Sequence, residues 1–186
     1  MHILKNTALR ILLTTNGLVL LAGAMLGPIY ALFVEEVGGD ILDAGFAGAV
    51  FAISAGTMCF VMGRIGDHSK HKVWIVSCGY CLIGASFLLY RHVDSMQALL
   101  AVQILFGIGE AMYSPVYDGM YSEHLDQGKS ASEWGVWECM NYWLSAVGSL
   151  MGGYVAFRLG FDVLFVIMAS FCFLAAGGML WMQKKI

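Results

Sequence analysis

Glu110 is the residue of this sequence best placed to do chemistry, because it stands in the middle of a long apolar run, in ILFGIGEAMYSP at positions 104–115. A carboxylate that far from either end of an apolar helix is costly in lipid unless it is protonated or faces a polar space. Since desolvation favours the neutral form of a carboxyl group, such a residue can take up a proton on one side and release it on the other. We therefore predict that Glu110 couples proton movement, with Glu138, nearer to the end of its own run, as a second candidate.

Polar residues accompany both glutamates at helical spacing. The two stripes are Gln103, Gly107, Glu110, Ser114 and Tyr117, and then Trp134, Glu138, Asn141, Ser145, Gly148 and Gly152. Steps of three and four residues put each set on one face of a helix. Polar groups in lipid turn towards other helices or a water-filled cavity, so the stripes predict a polar path between their helices. The predicted lining of the substrate cavity is Asn16, Gln103, Tyr113, Tyr117, Asn141 and Ser145.

Part of the second stripe has a simpler interpretation, which is helix packing. Small residues let two helices approach closely in a membrane, and we assign Gly148, Gly152 and Gly153 to this role. Pro28 and Pro115 each remove a backbone hydrogen bond, and so predict bends in the helices that contain them.

The elements that must position these residues are membrane helices. The chain has 186 residues, 59% of them hydrophobic and 12% charged, more apolar surface than a soluble domain of this size can hide. Six apolar stretches are each about long enough to cross a hydrocarbon core of ~30 Å. They cover residues 8–34, 41–62, 73–90, 96–117, 134–157 and 161–182. We predict one all-α domain, residues 1–186, that crosses the cell (inner or plasma) membrane six times.

The basic residues predict the orientation of these spans. With both termini in the cytoplasm, eight of the ten lysines and arginines fall on the inner side, and only Arg91 and Arg158 fall outside. The inner set is Lys5, Arg10, Arg64, Lys70, Lys72, Lys129, Lys184 and Lys185. This excess follows the positive-inside rule, and it argues against copies inserted in opposite orientations.

Other classes of site find little support in the sequence. The five cysteines all lie within apolar spans, where they are typical packing residues. We expect no metal, no cofactor and no nucleic-acid partner. An enzyme is not predicted, because nucleophile, base and metal-ligand types do not cluster near either boundary.

The link between the second and third spans, GRIGDHSKHK at positions 63–72, resembles the signature Gly-x-Leu-Ala-Asp-Arg-x-Gly-Arg-Lys of the major facilitator superfamily. Gly63, Asp67 and Lys72 match it, and His71 replaces an arginine. QILFGIGEA in the fourth span is similar to the family's Arg-x-x-x-Gly-x-Gly, with Gln103 in place of the arginine. GSLMGG, positions 148–153, is similar to Gly-Pro-x-x-Gly-Gly, a pattern associated with antiporter-type exporters.

The resemblance implies a fold of twelve helices in two similarly oriented halves, of which this chain supplies one. The missing half is then a second copy in the same orientation or a different polypeptide, and symmetry favours the copy. The family's helices also imply a gating role for the two prolines. Its signature acid docks on the other half, so Asp67 should lie near residues 130–134 of a second copy, with His71 and Asp118 close by. A capping box of Ser130 and Glu133 should start that helix.

These observations predict a secondary transporter that moves a small molecule across the lipid bilayer by alternating access. It is predicted to be proton-coupled, an exporter of the antiporter type, and a parallel homodimer. The alternatives are a non-transporting assembly or regulatory subunit, the first half of a full-length transporter, and a channel.

Overall fold

The computed structural model of the chain describes residues 6–183, so Lys5, Lys184 and Lys185 of the orientation argument lie outside the described residues. Six α-helices and no strands occur between these limits. They are α1 (Thr7–Leu26), α2 (Tyr30–Glu36), α3 (Ile41–His68), α4 (Lys72–Tyr90), α5 (Met96–Glu123) and α6 (Ser130–Trp181). Counting α1 and α2 as one span, five helical segments are long and apolar enough to cross a membrane.

The predicted first span, residues 8–34, is divided between α1 and α2. A short 3-10 turn, Gly27–Ile29, separates them, and Pro28 lies within it. Proline has no backbone N–H to give to an α-helix, so a tighter turn at this position is expected. Pro115, by contrast, lies inside α5, which continues past it to Glu123.

Several helices begin at residues that cap them. The Asn6 side chain accepts hydrogen bonds from the first backbone N–H groups of α1, and Asp40 and Asp43 form a capping box at the start of α3. The predicted capping box of Ser130 and Glu133 is wrong. Lys129 precedes α6 without a side-chain cap, and the Glu133 carboxylate instead accepts the backbone N–H of Asp126 at 2.9 Å.

The last helix contains one non-helical residue, Gly160, with φ 82° and ψ 169°. Only glycine adopts that backbone conformation readily. Gly160 divides α6 into a first arm, residues 130–159, and a second arm, residues 161–181. The predicted fifth and sixth spans, 134–157 and 161–182, correspond to these arms.

Contacts with α1 give the direction of each arm. Gly17 lies beside Leu144, and eight residues further along both helices Gly152 lies beside Met25, so the first arm runs parallel to α1. The second arm runs the opposite way, because its start packs on Phe33 of α2, whereas Met179 near its end lies beside Thr15. The chain therefore reverses at Gly160.

The helices pack in a fixed set of pairs. Helix α1 packs on both arms of α6, α3 packs on α5, and α4 packs between α5 and α6. The core that results is rich in aromatic residues, with Tyr80, Tyr90, Tyr117, Tyr121 and Phe165 among its fully buried side chains. Helix α3 contributes little to it, since its only buried residues are Ala47, Met62 and Gly66.

Candidate functional site

A cavity of ≈300 Å³, here called the carboxylate cavity, lies where α1, α3, α4, α5 and the first arm of α6 converge. It is lined by Val19, Leu20, Gly23, Ala24, Phe51, Ile83, Phe87, Phe106, Glu110, Tyr113, Asn141 and Ser145. Glu110 is the only charged residue in this lining. Four of the predicted site residues, Glu110, Tyr113, Asn141 and Ser145, thus share one cavity.

The Glu110 carboxylate is held by its neighbour one turn further along α5. The Tyr113 hydroxyl donates a hydrogen bond to Glu110 Oε1 at 2.9 Å, which the i, i+3 spacing of a helix allows. The Tyr113 ring is buried and packs on Tyr80 of α4, with ring centroids 5.0 Å apart. This packing holds the ring in the position from which its hydroxyl reaches Glu110.

Two glycines explain how α4 reaches the site. A Cβ added at Gly79 would lie 2.9 Å from the backbone oxygen of Gly109, and one at Gly109 would lie 3.0 Å from the Ile83 side chain. Helices α4 and α5 therefore cross with backbones nearly in contact, as small residues in membrane helices permit. This crossing brings Ile83 and Phe87 of α4 into the cavity, although neither was predicted from the sequence.

A second cavity of ≈250 Å³, here called the aromatic cavity, adjoins the first. The two share Gly23, Phe51, Phe87 and Phe106. Gln103 lies here rather than beside Glu110, and its amide donates a hydrogen bond to the Tyr30 hydroxyl. Gly107, which the sequence placed in the polar stripe, packs on α3, because a Cβ there would lie 2.7 Å from the backbone oxygen of Phe51.

The remaining predicted cavity residues form a buried polar cluster. The Tyr80 hydroxyl donates to Asn16 Oδ1 at 3.2 Å, and the Tyr117 hydroxyl lies near the Asn16 and Trp137 side chains. Within residues 6–183, however, neither Tyr117 Oη nor Trp137 Nε1 has a partner at hydrogen-bonding geometry. Tyr80 and Trp137 were not predicted as site residues, because neither belongs to one of the two polar stripes.

The second stripe divides into two parts. Asn141 and Ser145 line the carboxylate cavity, whereas Glu138 is exposed and belongs to neither cavity lining. Gly148 and Gly152 face α1, and a Cβ at Gly148 would lie 2.7 Å from that of Ala24. Gly153, also predicted to pack, has no atom within 4 Å of an added Cβ.

The signature turn lies at the end of the bundle where α3 and α5 end and α4 begins. Lys72 forms an ion pair of 2.5 Å with Glu123 at the end of α5, whereas Asp67 and His71 are exposed. Gly63 has open space around it, and Asp118, on α5, is partly buried. No ion pair joins Asp67, His71 and Asp118 within the described part of the chain, so their predicted cluster stays a prediction.

The described residues contain no cluster of side chains that could bind a metal ion. No set of three or more histidine, cysteine, aspartate or glutamate side chains in residues 6–183 is arranged to hold an ion. The cysteine thiols are free.

Comparisons with known proteins agree with this architecture. The sequence profile of the Major Facilitator Superfamily matches residues 12–185. YitZ of Bacillus subtilis strain 168, described as an uncharacterized MFS-type transporter, is 24% identical over 136 residues, which are 73% of this chain and 82% of YitZ.

Two longer relatives match in part. MJ1560 of Methanocaldococcus jannaschii, also described as an uncharacterized MFS-type transporter, is 25% identical over 87% of this chain and 42% of its own length. The multi-drug resistance efflux pump PmrA of Streptococcus pneumoniae serotype 4 is 24% identical over 83% of this chain and 39% of its own. The chain thus spans less than half of these two relatives. With a profile match over nearly its whole length, this multi-pass membrane chain belongs to the major facilitator superfamily.

Proposed function

We propose that this chain is a proton-coupled secondary transporter in which Glu110 carries the proton. Membership of the superfamily makes membrane transport the general function, and the observation that supports proton coupling is the lone carboxyl group in the carboxylate cavity. Apart from the Tyr113 hydroxyl, no group that titrates lines that cavity. A coupling proton bound in this cavity therefore has one candidate acceptor.

The coupling follows from the cost of charge in a closed cavity. With the cavity open to water, the carboxylate is hydrated and also receives the Tyr113 hydrogen bond. Between the states open to either side of the membrane, the cavity is closed to water. In that closed state the free-energy cost of the Glu110 carboxylate is lowest when it binds either a proton or a cationic substrate. Each partner excludes the other, which yields an exchange of substrate for protons. The relative PmrA is described as an efflux pump, which supports export as the direction.

Reconstituted vesicles with an acidic interior test this proposal. We expect the pH difference to drive uptake of at least one member of a panel containing ethidium, carboxyfluorescein and Nile red. Glu110→Gln, which keeps the size of the side chain, should reduce that uptake at least about tenfold, and Glu35→Gln, an exposed residue outside both cavities, should not. Normal uptake by Glu110→Gln, or no uptake of any probe, would contradict the assignment.

We further propose that two copies in the same orientation form the working unit. The proposal is supported by the apolar surface that α3 and the first arm of α6 leave exposed, which includes Phe60, Trp143 and Leu150 at 65, 69 and 77%. YitZ, most of whose length this chain matches, shows that a relative of similar size exists. The partial coverage of MJ1560 and PmrA favours the alternative, in which a different polypeptide supplies the other half.

Cross-linking between tagged copies tests the dimer and its orientation. The five native cysteines are first replaced, and Asp67→Cys and Ser132→Cys are then placed on separate copies with different tags. A disulfide between the two tags is expected, because the family's signature acid docks on the other half. The homodimer would be ruled out if no cross-linked product carried both tags and if the solubilised protein, corrected for bound detergent, had the mass of one copy.

A further inference from the structure

The lining of the two cavities also indicates which substrates this chain accepts. We infer that the substrate is an amphipathic cation with an aromatic or bulky apolar body. The inference rests on the proposed function only in placing the substrate at the Glu110 site.

The charge in the two cavity linings is negative. Glu110 is the only charged residue in the two linings, which contain no lysine, arginine or histidine. Asp118 lies close enough to act electrostatically on Glu110 and Tyr113, which adds to the negative potential. An anion entering here would meet repulsion with no basic group to offset it, whereas a cation gains a partner in a medium that screens poorly.

The wall between the polar groups is aromatic. Phe106 packs on Phe51 and Phe87 with ring centroids 5.0 and 5.3 Å apart, and all three rings face both cavities. Tyr30 and Tyr90 extend this wall in the aromatic cavity and Tyr113 extends it in the other. Ring faces attract organic cations as well as apolar groups.

The polar groups are few and lie apart. The carboxylate cavity offers Glu110, Tyr113, Asn141 and Ser145, whereas the aromatic cavity offers the Tyr30 and Gln103 pair, which is already hydrogen-bonded. A sugar or other polyol needs many more partners than this, and a neutral apolar compound would leave the carboxylate unpaired. The arrangement fits a cationic group beside Glu110 and an apolar body along the phenylalanines.

Two ions of the same shape and opposite charge test the inference. Tetraphenylphosphonium and tetraphenylborate present the same four phenyl rings, so binding that depends on apolar contact alone would retain both. Equilibrium dialysis against the purified full chain in detergent measures each affinity and requires neither a proton gradient nor transport. We expect tetraphenylphosphonium to bind and tetraphenylborate to bind at least about tenfold more weakly.

Variants then connect the selectivity to the carboxylate. Glu110→Gln should weaken tetraphenylphosphonium binding at least about tenfold, and Glu110→Asp, which keeps the charge, should retain most of it. Glu35→Gln makes the same charge change at an exposed position on α2 and should bind as the unaltered protein does. Helical circular dichroism and size-exclusion elution verify that each variant is folded.

The outcomes separate this inference from the proposed function. Equal binding of the two ions, no binding of tetraphenylphosphonium, or a folded Glu110→Gln variant with unchanged affinity would overturn the inference. Proton-driven uptake of carboxyfluorescein alone would leave Glu110 as the proton carrier, but would remove the cationic substrate and its direct competition with the proton. Glu110-dependent tetraphenylphosphonium binding without any proton-driven uptake would do the reverse.

Discussion

The two polar stripes have similar spacing in the sequence but different surroundings in the fold. The α5 stripe is enclosed, with Gln103 bonded to Tyr30 and Glu110 bonded to Tyr113. On the first arm of α6, Glu138 is exposed, and the glycine end of the stripe is pressed against α1. Helical spacing thus identifies a face, but the neighbouring helix decides whether that face holds a site, a packing contact or an open surface.

The largest expected effect is on the glycine end of the α6 stripe. A Cβ at Gly152 would overlap the backbone oxygen of Met25, whereas one at Gly153 would meet nothing within 4 Å. We expect Gly152→Ala to cost about 3 kcal/mol, because backbone atoms cannot move aside as side chains do. Thermal unfolding in detergent should show this loss, and Gly153→Ala is the matched control. Equal melting temperatures for the two variants would contradict the close contact.

The comparison of the two glutamates is the next test. Glu110→Gln should reduce proton-driven uptake at least about tenfold, and Glu138→Gln should reduce it less than about threefold, since Glu138 lies outside both cavities. Initial rates in reconstituted vesicles measure both. A greater loss from Glu138→Gln would transfer the coupling role to α6.

A smaller effect is expected from Tyr113→Phe. This change keeps the buried ring against Tyr80 and removes the hydroxyl that bonds to Glu110. Because Glu110 keeps its charge in this variant, tetraphenylphosphonium binding should change by less than the at least about tenfold loss expected for Glu110→Gln. If binding or uptake is lost completely while the fold is intact, Tyr113 has a direct role that this geometry does not assign.

The smallest effect is expected at the end of α5. Lys72 and Glu123 are 24 and 56% exposed at their side chains, and exposed ion pairs contribute about 0.2–1 kcal/mol. A double-mutant cycle of Lys72→Met and Glu123→Gln, followed by thermal unfolding, measures this coupling. A coupling of several kcal/mol would show that the signature turn anchors α5 far more strongly than its exposure indicates.

Particular residues show how far the sequence predicts this molecule. The apolar runs located the starts of the helices to within four residues, because lipid imposes an apolar composition on a spanning segment. The predicted ends were less accurate, since α3 and α5 each continue six residues past them. Asn141 and Ser145 of the second stripe, and Tyr113 of the predicted cavity lining, lie in the same cavity as Glu110. These patterns lie within single helices, where periodicity is informative.

The features that the sequence did not predict are contacts between two different helices. Gly79 and Gly109 are thirty residues apart, and nothing in either segment indicates that their backbones meet. Tyr80, Ile83 and Phe87 reach the site only because of that crossing. The capping box at Ser130 was wrong because the Glu133 carboxylate found a partner in the preceding loop, at the backbone N–H of Asp126.

The reversal at Gly160 has a mechanical consequence. A single residue joins the two antiparallel arms of α6, so the connection is too short to let the arms move far apart. The first arm carries Asn141 and Ser145 of the carboxylate cavity, and the second arm carries the core residues Phe165 and Cys172, so one short connection links the cavity wall to the hydrophobic core. A longer connection at this position would loosen the link between the cavity wall and the core.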